Sequence, residues 1–179
     1  MTSVFPSTTG AAIPSFLTSV APQQHGSVGW YVFLKEIGQV SAVLPFLPRA
    51  GGNRYYSLDI QQKDIFSQKK IYEFIKGDYI EVVPQDFIRD HPAPKKLKRL
   101  GYTSLHSFLA QIRKAIRSSK KRKLIYAYWP FYDEYCHHFG TEHRKTIHHF
   151  HVLERAISFL AKSLEKTDTT LIITADHGF

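Results

Sequence analysis

Hydrophobic positions in the second half of the chain alternate between short apolar runs and helical stripes. The apolar runs predict strands over residues 79–83, 124–128 and 170–175. Between them, apolar residues three and four positions apart predict amphipathic helices over 104–117 and 142–165. Regular alternation of strand and helix is typical of an α/β fold with a largely parallel sheet, so we expect that fold class here.

The first half of the chain has a less regular hydrophobic pattern. Apolar residues at helical spacing predict a helix over 11–20, with Pro14 in or just after its first turn, where a missing N–H is tolerated. Two β-rich runs, 30–34 and 40–46, predict a hairpin, and a further helix is predicted over 67–76. Three stretches are predicted to be loops: 48–57, 85–101 and 129–140.

Length and composition are those of a globular protein with one sizeable core. The chain has 179 residues, of which 43% are hydrophobic, so it is not intrinsically disordered. The single Cys136 excludes an internal disulfide framework. No apolar run approaches the roughly 20 residues of a membrane-spanning helix. The N-terminus lacks a signal-peptide pattern, which favours a cytoplasmic location, although a leader upstream of Met1 would overturn this.

A formal net charge of +9 raises nucleic-acid binding as a rival function. The chain lacks paired Cys/His fingers and aromatic–glycine RNA signatures, so no specific nucleic-acid binding is expected. We interpret the charge as a solvated rim that would also attract an anionic phosphoester. It is concentrated in two clusters: Lys95, Lys96, Lys98 and Arg99, then Arg113, Lys114, Arg117, Lys120, Lys121, Arg122 and Lys123.

A hydroxyl-rich turn, Phe-Pro-Ser-Thr-Thr at 5–9, precedes the first predicted helix. A Ser or Thr in this place commonly serves as a helix N-cap. The alternative is a nucleophilic hydroxyl at a helix N-terminus, where backbone amides and the helix dipole favour a phosphate group. Because threonine is a weak nucleophile without a metal or a base, this alternative requires metal ligands elsewhere in the chain.

Two pairs of side chains are candidate metal ligands. Asp133 and His137 are four residues apart and face one side of a helical turn, and a carboxylate with an imidazole suits zinc or a similar ion. Such a pair also arises by chance, and the adjacent His138 competes for the ligand role. Asp176 and His177 follow the last predicted strand, at the edge where open α/β sheets bind ligands. Two ions about 3.5–4 Å apart would stabilise the attacking and leaving oxygens of an in-line displacement.

The remaining histidines have a simpler interpretation. His25, before Gly26, is interpreted as a structural turn residue. Four others lie on the long predicted helix without a carboxylate at matching register and are interpreted as surface or satisfied side chains: His143, His148, His149 and His151.

Four segments of the chain form one recognisable pattern. They are 5–9 (FPSTT), Pro22 with His25-Gly26 and Gly29, the D-x-x-x-H-x-x-G run at 133–140, and 174–178 (TADHG). Together they resemble the type I phosphodiesterase/nucleotide pyrophosphatase family of the alkaline phosphatase superfamily. The resemblance covers nearly the whole chain and implies a three-layer alkaline-phosphatase-like fold with a mostly parallel central sheet.

The resemblance implies a metal-dependent phosphoesterase that hydrolyses phosphodiesters or nucleotide pyrophosphates. Thr9 would be the nucleophile that forms a phospho-enzyme intermediate, with Thr8 as the weaker candidate. One metal ion would be bound by Asp133 and His137 and a second by Asp176 and His177. The two divalent ions would be Zn²⁺, with Mn²⁺ as the alternative, and the partner would be a small-molecule phosphoester or nucleotide.

Three departures from the family pattern bear on activity. The family has a further metal-binding Asp before the nucleophile, and residues 1–8 contain no Asp. A further metal-binding His lies far beyond the DHG motif, where this sequence has ended. Ala12 stands where many members have a phosphate-contacting Asn. We therefore expect a fragment, truncated at both ends, in which residues 1–179 form one partial catalytic domain that binds zinc poorly and turns over slowly or not at all.

Two alternative functions stay open at this point. In the first, the chain is a catalytically inactive fragment of such an enzyme. In the second, it is a phosphomonoesterase, phosphonate hydrolase or sulfate ester hydrolase of the same superfamily. Substrate choice resides in loops that the sequence pattern does not resolve. The oligomeric state is also left open.

Overall fold

The computed structural model describes residues 3–90 and 97–178, and the side chain of Asp90 is outside that description. The chain divides into two compact units. The first unit comprises the residues up to Ile75 together with Thr174–Gly178, and the second comprises Lys76–Ile173. Among the described residues, no helix combines the length and the apolar character needed to cross a bilayer.

The first unit opens with two helices, α1 (Thr9–Thr18) and α2 (Pro22–His25). The predicted helix over 11–20 is confirmed, but it begins two residues earlier. It ends at Ser19, whose left-handed backbone (φ 59°) closes the last turn. Pro22 occupies the first position of α2, where its missing N–H costs nothing.

The predicted hairpin of the first unit is confirmed. Strands β1 (Tyr31–Leu34) and β2 (Gln39–Ala42) pair antiparallel, and a short β3 (Leu47–Pro48) adds to β2. Phe46 and Tyr55 are fully buried beneath them, with ring centroids 5.0 Å apart. A 3₁₀ turn at Tyr55–Leu58 lies partly inside the stretch predicted to be a loop.

The predicted helix over 67–76 is wrong. The structure has a short α3 (Gln62–Ile65) and a 3₁₀ turn at Ile71–Glu73 instead. Phe74, which a helix would need to bury, is 62% exposed. A helix of this length depends on packing of its apolar face, and in this segment Ile71, Tyr72 and Ile75 are only partly buried.

The second unit is built on a parallel sheet of three strands, as predicted for the fold class. The strands are β4 (Asp78–Pro84), β5 (Lys98–Tyr102) and β6 (Lys123–Ala127), in the order β5-β4-β6. Both faces of β4 are buried, which is typical of the central strand of an α/β sheet. The strands predicted over 79–83 and 124–128 are confirmed.

The predicted loop over 85–101 is wrong at both ends. Helix α4 (Gln85–Asp90) begins directly after β4, and β5 occupies the end of the stretch. Arg99 lies opposite Glu81 in the strand register, and its Nε is 2.6 Å from Glu81 Oε2. This ion pair thus helps to hold β5 against β4 although β5 begins with two charged residues. Residues 91–96 of the predicted loop, with Lys95 and Lys96 of the basic cluster, lie outside the described residues.

Helix α5 (Leu105–Arg117) confirms the helix predicted over 104–117. The Ser104 hydroxyl caps its first turn by accepting from the Ser107 amide at 3.2 Å. At the other end, Lys123 Nζ donates to the Ile116 carbonyl at 2.8 Å. The core of the unit is formed by β4, β5, α5 and the last helix: Ile80, Val82, Tyr102, Phe108, Leu109, Ile112, Ala115, Leu160 and Leu164.

Two further helices follow β6. Helix α6 (Phe131–Phe139) replaces most of the loop predicted over 129–140, and α7 (Arg144–Leu164) confirms the long helix predicted over 142–165. The N-cap of α7 is His143, whose Nδ1 accepts from the Lys145 amide. Thr146 is fully buried and donates to the Gly140 carbonyl at 2.8 Å, which joins the end of α6 to the start of α7.

The predicted strand over 170–175 is wrong. None of these residues is in a strand, and Ile172 is 79% exposed. A β-branched run becomes a strand only when a neighbouring strand pairs with it, because its propensity reflects packing on a sheet surface. Within the described part of the chain, the two sheets give this segment no pairing partner.

Candidate active site

The first unit places Thr9 at the N-terminus of α1. Thr8 is the N-cap residue, but its side chain makes no capping hydrogen bond. Its carbonyl accepts from the amides of Ala11 and Ala12, both at 2.9 Å. The first-turn amides of α1 thus lack the usual side-chain cap from the N-cap residue, an arrangement that suits an anion.

The Thr9 hydroxyl meets the ring of His177, 168 residues later in the chain, with Oγ1 at 2.9 Å from Nε2. The other ring nitrogen, Nδ1, lies 2.9 Å from the Gly178 carbonyl. Because a carbonyl only accepts, Nδ1 carries the hydrogen, and in the neutral ring Nε2 is then an acceptor. The Thr9 hydroxyl therefore donates to His177.

Asp176 adds a carboxylate to the same place. Its Oδ2 lies 3.8 Å from His177 Nε2, and the two side chains are only 19% and 11% exposed. Oδ2 is buried and receives no hydrogen bond from any described residue. The Ser3 hydroxyl donates to the backbone carbonyl of Asp176, which ties this pair to the N-terminal segment.

The donor atoms of Thr9, Asp176 and His177 fit a divalent cation. Two ligands of a tetrahedral ion with bonds of about 2.0–2.1 Å lie about 3.3–3.5 Å apart. The separations here, 2.9 Å and 3.8 Å, bracket that distance. The bond from Nδ1 to a carbonyl is also the usual support of a metal-bound histidine. Across residues 3–90 and 97–178, no three His, Cys, Asp or Glu side chains group into a metal site.

The second pair of predicted ligands lies on α6, in the second unit. His137 Nε2 is 3.5 Å from Asp133 Oδ2, and the imidazole is 64% exposed. The competing His138 directs its Nδ1–H to the Glu134 carbonyl at 3.0 Å. Of the two adjacent histidines, His137 is therefore the one whose ring faces the carboxylate.

Comparison with known proteins decides the family. The whole chain, residues 1–179, matches the family model for type I phosphodiesterase / nucleotide pyrophosphatase. The chain belongs to this family. Membership implies hydrolysis of phosphoester bonds in small-molecule substrates, and the family is generally metal-dependent. No curated protein and no solved structure matches the chain.

Ala12 is a departure from the family pattern, since many members have a phosphate-contacting Asn at this position. Its side chain is 2% exposed, inside α1. A methyl group at this place offers no polar contact to a substrate. Any contact to the phosphate from the start of α1 must therefore come from backbone amides or from Thr9.

The sequence pattern does not reveal the aromatic side chains that surround His149. The Trp129 indole donates to His149 Nε2 at 3.1 Å, and the Tyr135 ring stacks on the imidazole at 4.5 Å. Burial lowers the pKa of His149, with a smaller contribution from the nearby His148. The ring is therefore a satisfied, packed side chain, and nothing in the spacing of α7 reveals its indole partner.

His25 is buried and bonded through both ring nitrogens. Nδ1 accepts from the Ser27 amide at 3.1 Å, so Nε2 carries the hydrogen of the neutral ring and donates to Ser15 Oγ at 3.0 Å. Burial lowers the pKa of His25. The tautomer is opposite to the one in which a histidine accepts the proton of a nucleophilic serine, so this pair is structural, as the sequence suggested.

The lowered pKa of His25 predicts acid sensitivity of folding. The unfolded chain, with an ordinary pKa of 6.5, binds more protons than the folded chain. The stabilisation is therefore fully present above that value and is lost as the pH falls through the lower folded-state pKa. We expect the melting temperature to fall from about pH 7.5 to pH 5, and to fall less in His25→Gln. The exposed His106→Gln is the matched control, and parallel pH curves for wild type and His25→Gln would contradict the prediction.

Proposed function

We propose that the chain is a metal-dependent phosphoesterase whose nucleophile is the Thr9 hydroxyl, acting on phosphodiesters or nucleotide pyrophosphates. The observation that supports it most is the 2.9 Å contact between Thr9 Oγ1 and His177 Nε2 beside the half-buried Asp176 carboxylate. A nucleophile, an imidazole and a carboxylate meet there at a helix N-terminus, which is the set that phosphoryl transfer by a threonine requires.

Several residues of the first unit have separate roles in the proposed reaction. A divalent ion held by Asp176 and His177 would lower the pKa of the adjoining hydroxyl and polarise the phosphoryl oxygens. The Gly178 carbonyl fixes the ring of His177 so that Nε2 faces Thr9. The Thr9 hydroxyl loses its proton to solvent water and its oxygen attacks phosphorus. An Oγ–P bond forms as the bond to the leaving alkoxide breaks, and the alkoxide takes up a proton from water. Water then hydrolyses the threonine ester. The uncapped amides of α1 stabilise charge on the phosphoryl oxygens.

The second pair, Asp133 and His137, has the role of holding the other divalent ion in this proposal. Its support is the carboxylate–imidazole contact of 3.5 Å on one face of α6, together with membership of a generally metal-dependent family. Zn²⁺ suits such a nitrogen and oxygen set, and Mn²⁺ is also accepted by it. With so few donors for each ion, we expect weak metal affinity.

Zinc binding tests the proposal before any substrate is chosen. The chelator-stripped chain is titrated with Zn²⁺ by calorimetry, and hydrolysis of bis(4-nitrophenyl) phosphate and 4-nitrophenyl phosphate is followed with the metal restored. We expect zinc-dependent turnover, and at least a roughly tenfold loss of zinc affinity in His177→Asn. His138→Asn is the matched control and should bind as wild type does. Zinc affinity unchanged in His177→Asn would refute the ligand assignment, and zinc binding without turnover would favour the inactive alternative.

A further inference from the structure

Pro14 leaves a gap in the hydrogen bonding of α1. The helix starts at Thr9, so Pro14 is its sixth residue and lies past the first turn, where its missing N–H leaves a helical carbonyl without a donor. An N–H at position 14 would donate to the carbonyl of Gly10, four residues earlier, but proline has none. The Gly10 carbonyl, next to the proposed nucleophile, therefore lacks its helical donor.

Ser27 provides a donor to that same carbonyl. Its hydroxyl donates to the Gly10 carbonyl oxygen at 2.5 Å, and the side chain is 1% exposed. A buried carbonyl without a partner is costly. The Ser27 hydroxyl thus replaces, from outside the helix, the bond that Pro14 cannot make.

The position of Ser27 is itself fixed by a network that returns to α1. The Ser27 amide donates to His25 Nδ1, and the His25 ring donates to Ser15 Oγ at 3.0 Å. The Ser15 hydroxyl in turn donates to the Ala11 carbonyl at 3.1 Å. The carbonyls of Gly10 and Ala11, the two residues after Thr9, are therefore both held through one buried network.

Close backbone contact makes the start of α1 sensitive to this network. A Cβ atom at Gly10 would lie 2.4 Å from the Gly29 carbonyl oxygen, so the chain passes directly over the residue that follows Thr9. Thr9 Oγ1 must stay near its 2.9 Å contact with His177, and a small displacement of the first turn would break it.

We infer that Ser27 is a positioning residue for Thr9, which holds the first turn of α1 in place by supplying the hydrogen bond that Pro14 omits. The inference rests on the proposed function for its catalytic part. Its structural part is a donor exchange, in which the Ser27 hydroxyl replaces the missing N–H of Pro14 at the Gly10 carbonyl. This part depends only on the geometry. The two parts can therefore be tested separately.

The test is a double-mutant cycle with Ser27→Ala and Pro14→Ala. Ser27→Ala removes the donor, and we expect a melting temperature lowered by several degrees and kcat for bis(4-nitrophenyl) phosphate lowered about tenfold with KM unchanged. Pro14→Ala restores a backbone N–H to the Gly10 carbonyl. In the double variant, therefore, we expect Ser27→Ala to have less than half of its effect on both quantities.

Ser41→Ala is the matched control, because Ser41 is also a fully buried serine of the first unit and bonds Tyr55 Oη at 2.7 Å. It should lower the melting temperature without changing kcat, and Pro14→Ala should not rescue it. A Ser27→Ala effect on the melting temperature that persists in full beside Pro14→Ala would overturn the donor exchange. If Pro14→Ala rescues the melting temperature of Ser27→Ala but Ser27→Ala has the kcat of wild type, the positioning role is overturned. Wild type without turnover would refute the proposed function and the positioning role, while the donor exchange would still be visible in the melting temperatures.

Discussion

Thr9→Ala is expected to lower hydrolysis of bis(4-nitrophenyl) phosphate by about 10³-fold or more, because it removes the atom that attacks phosphorus in the proposed reaction. Its hydroxyl is the group that faces His177 Nε2 at 2.9 Å. The substitution deletes little packing, since Thr9 is only partly buried. The measurement is kcat and kcat/KM with the metal at saturation, with the melting temperature as a check of folding.

Two neighbouring variants sharpen this prediction. Thr9→Ser keeps a hydroxyl in the same place and should retain much of the turnover. Thr8→Ala is the matched control, since Thr8 makes no capping hydrogen bond and its loss should leave α1 intact. Thr8→Ala with the larger loss would transfer the nucleophile role to that residue. Wild-type turnover in Thr9→Ala would end the threonine mechanism.

The contact between Thr9 and His177 joins two of the short motifs that the family resemblance groups together. Nothing in periodicity connects residues 168 positions apart. The resemblance to a known family groups the hydroxyl-rich turn with the Asp176-His177 pair, and chemistry adds only that a weak hydroxyl nucleophile needs an activating group. The parallel sheet was predictable for a different reason, since β4, β6 and α5 carry strong local patterns.

The errors of sequence reasoning have a common physical cause. Strand β5 begins with two charged residues, and the part-buried ion pair between Arg99 and Glu81 joins positions 18 residues apart. The stretch 170–175 has the opposite problem: its pattern is strand-like, but pairing decides whether a strand forms. Prediction from local propensity fails in both cases because the deciding interaction is with a distant part of the chain. In β5 that interaction is present, and in 170–175 it is missing.

Ser27 illustrates the same limit at the candidate site. Pro14 is readable in the sequence as a missing donor, but which group replaces it depends on a residue 17 positions from Gly10. A serine in a Gly-rich stretch has no pattern that assigns it to a helix carbonyl. A residue proposed to position the nucleophile is therefore harder to predict than the proposed nucleophile, because its identity depends on backbone geometry rather than on a chemical motif.

Gly10→Ala is expected to be the most destabilising small substitution in the first unit. The added Cβ would lie 2.4 Å from the Gly29 carbonyl oxygen, 2.6 Å from its carbon and 2.8 Å from Trp30 Cα. All three are backbone atoms, so no rotamer change relieves the overlap. Overpacking of this kind costs about 3 kcal/mol, which corresponds to a loss of about 6–12 °C in melting temperature.

Gly29→Ala is the matched control for Gly10→Ala, because it lies on the other side of the same contact. A Cβ there would meet only the Tyr31 carbonyl at 3.6 Å, an ordinary contact distance. We expect Gly29→Ala to change the melting temperature by no more than about 2–4 °C. Gly10→Ala should also reduce turnover in the fraction that folds, since the displaced turn carries Thr9 away from His177. Equal melting temperatures for the two variants would show that the backbone at residues 29–30 does not press on α1 as described.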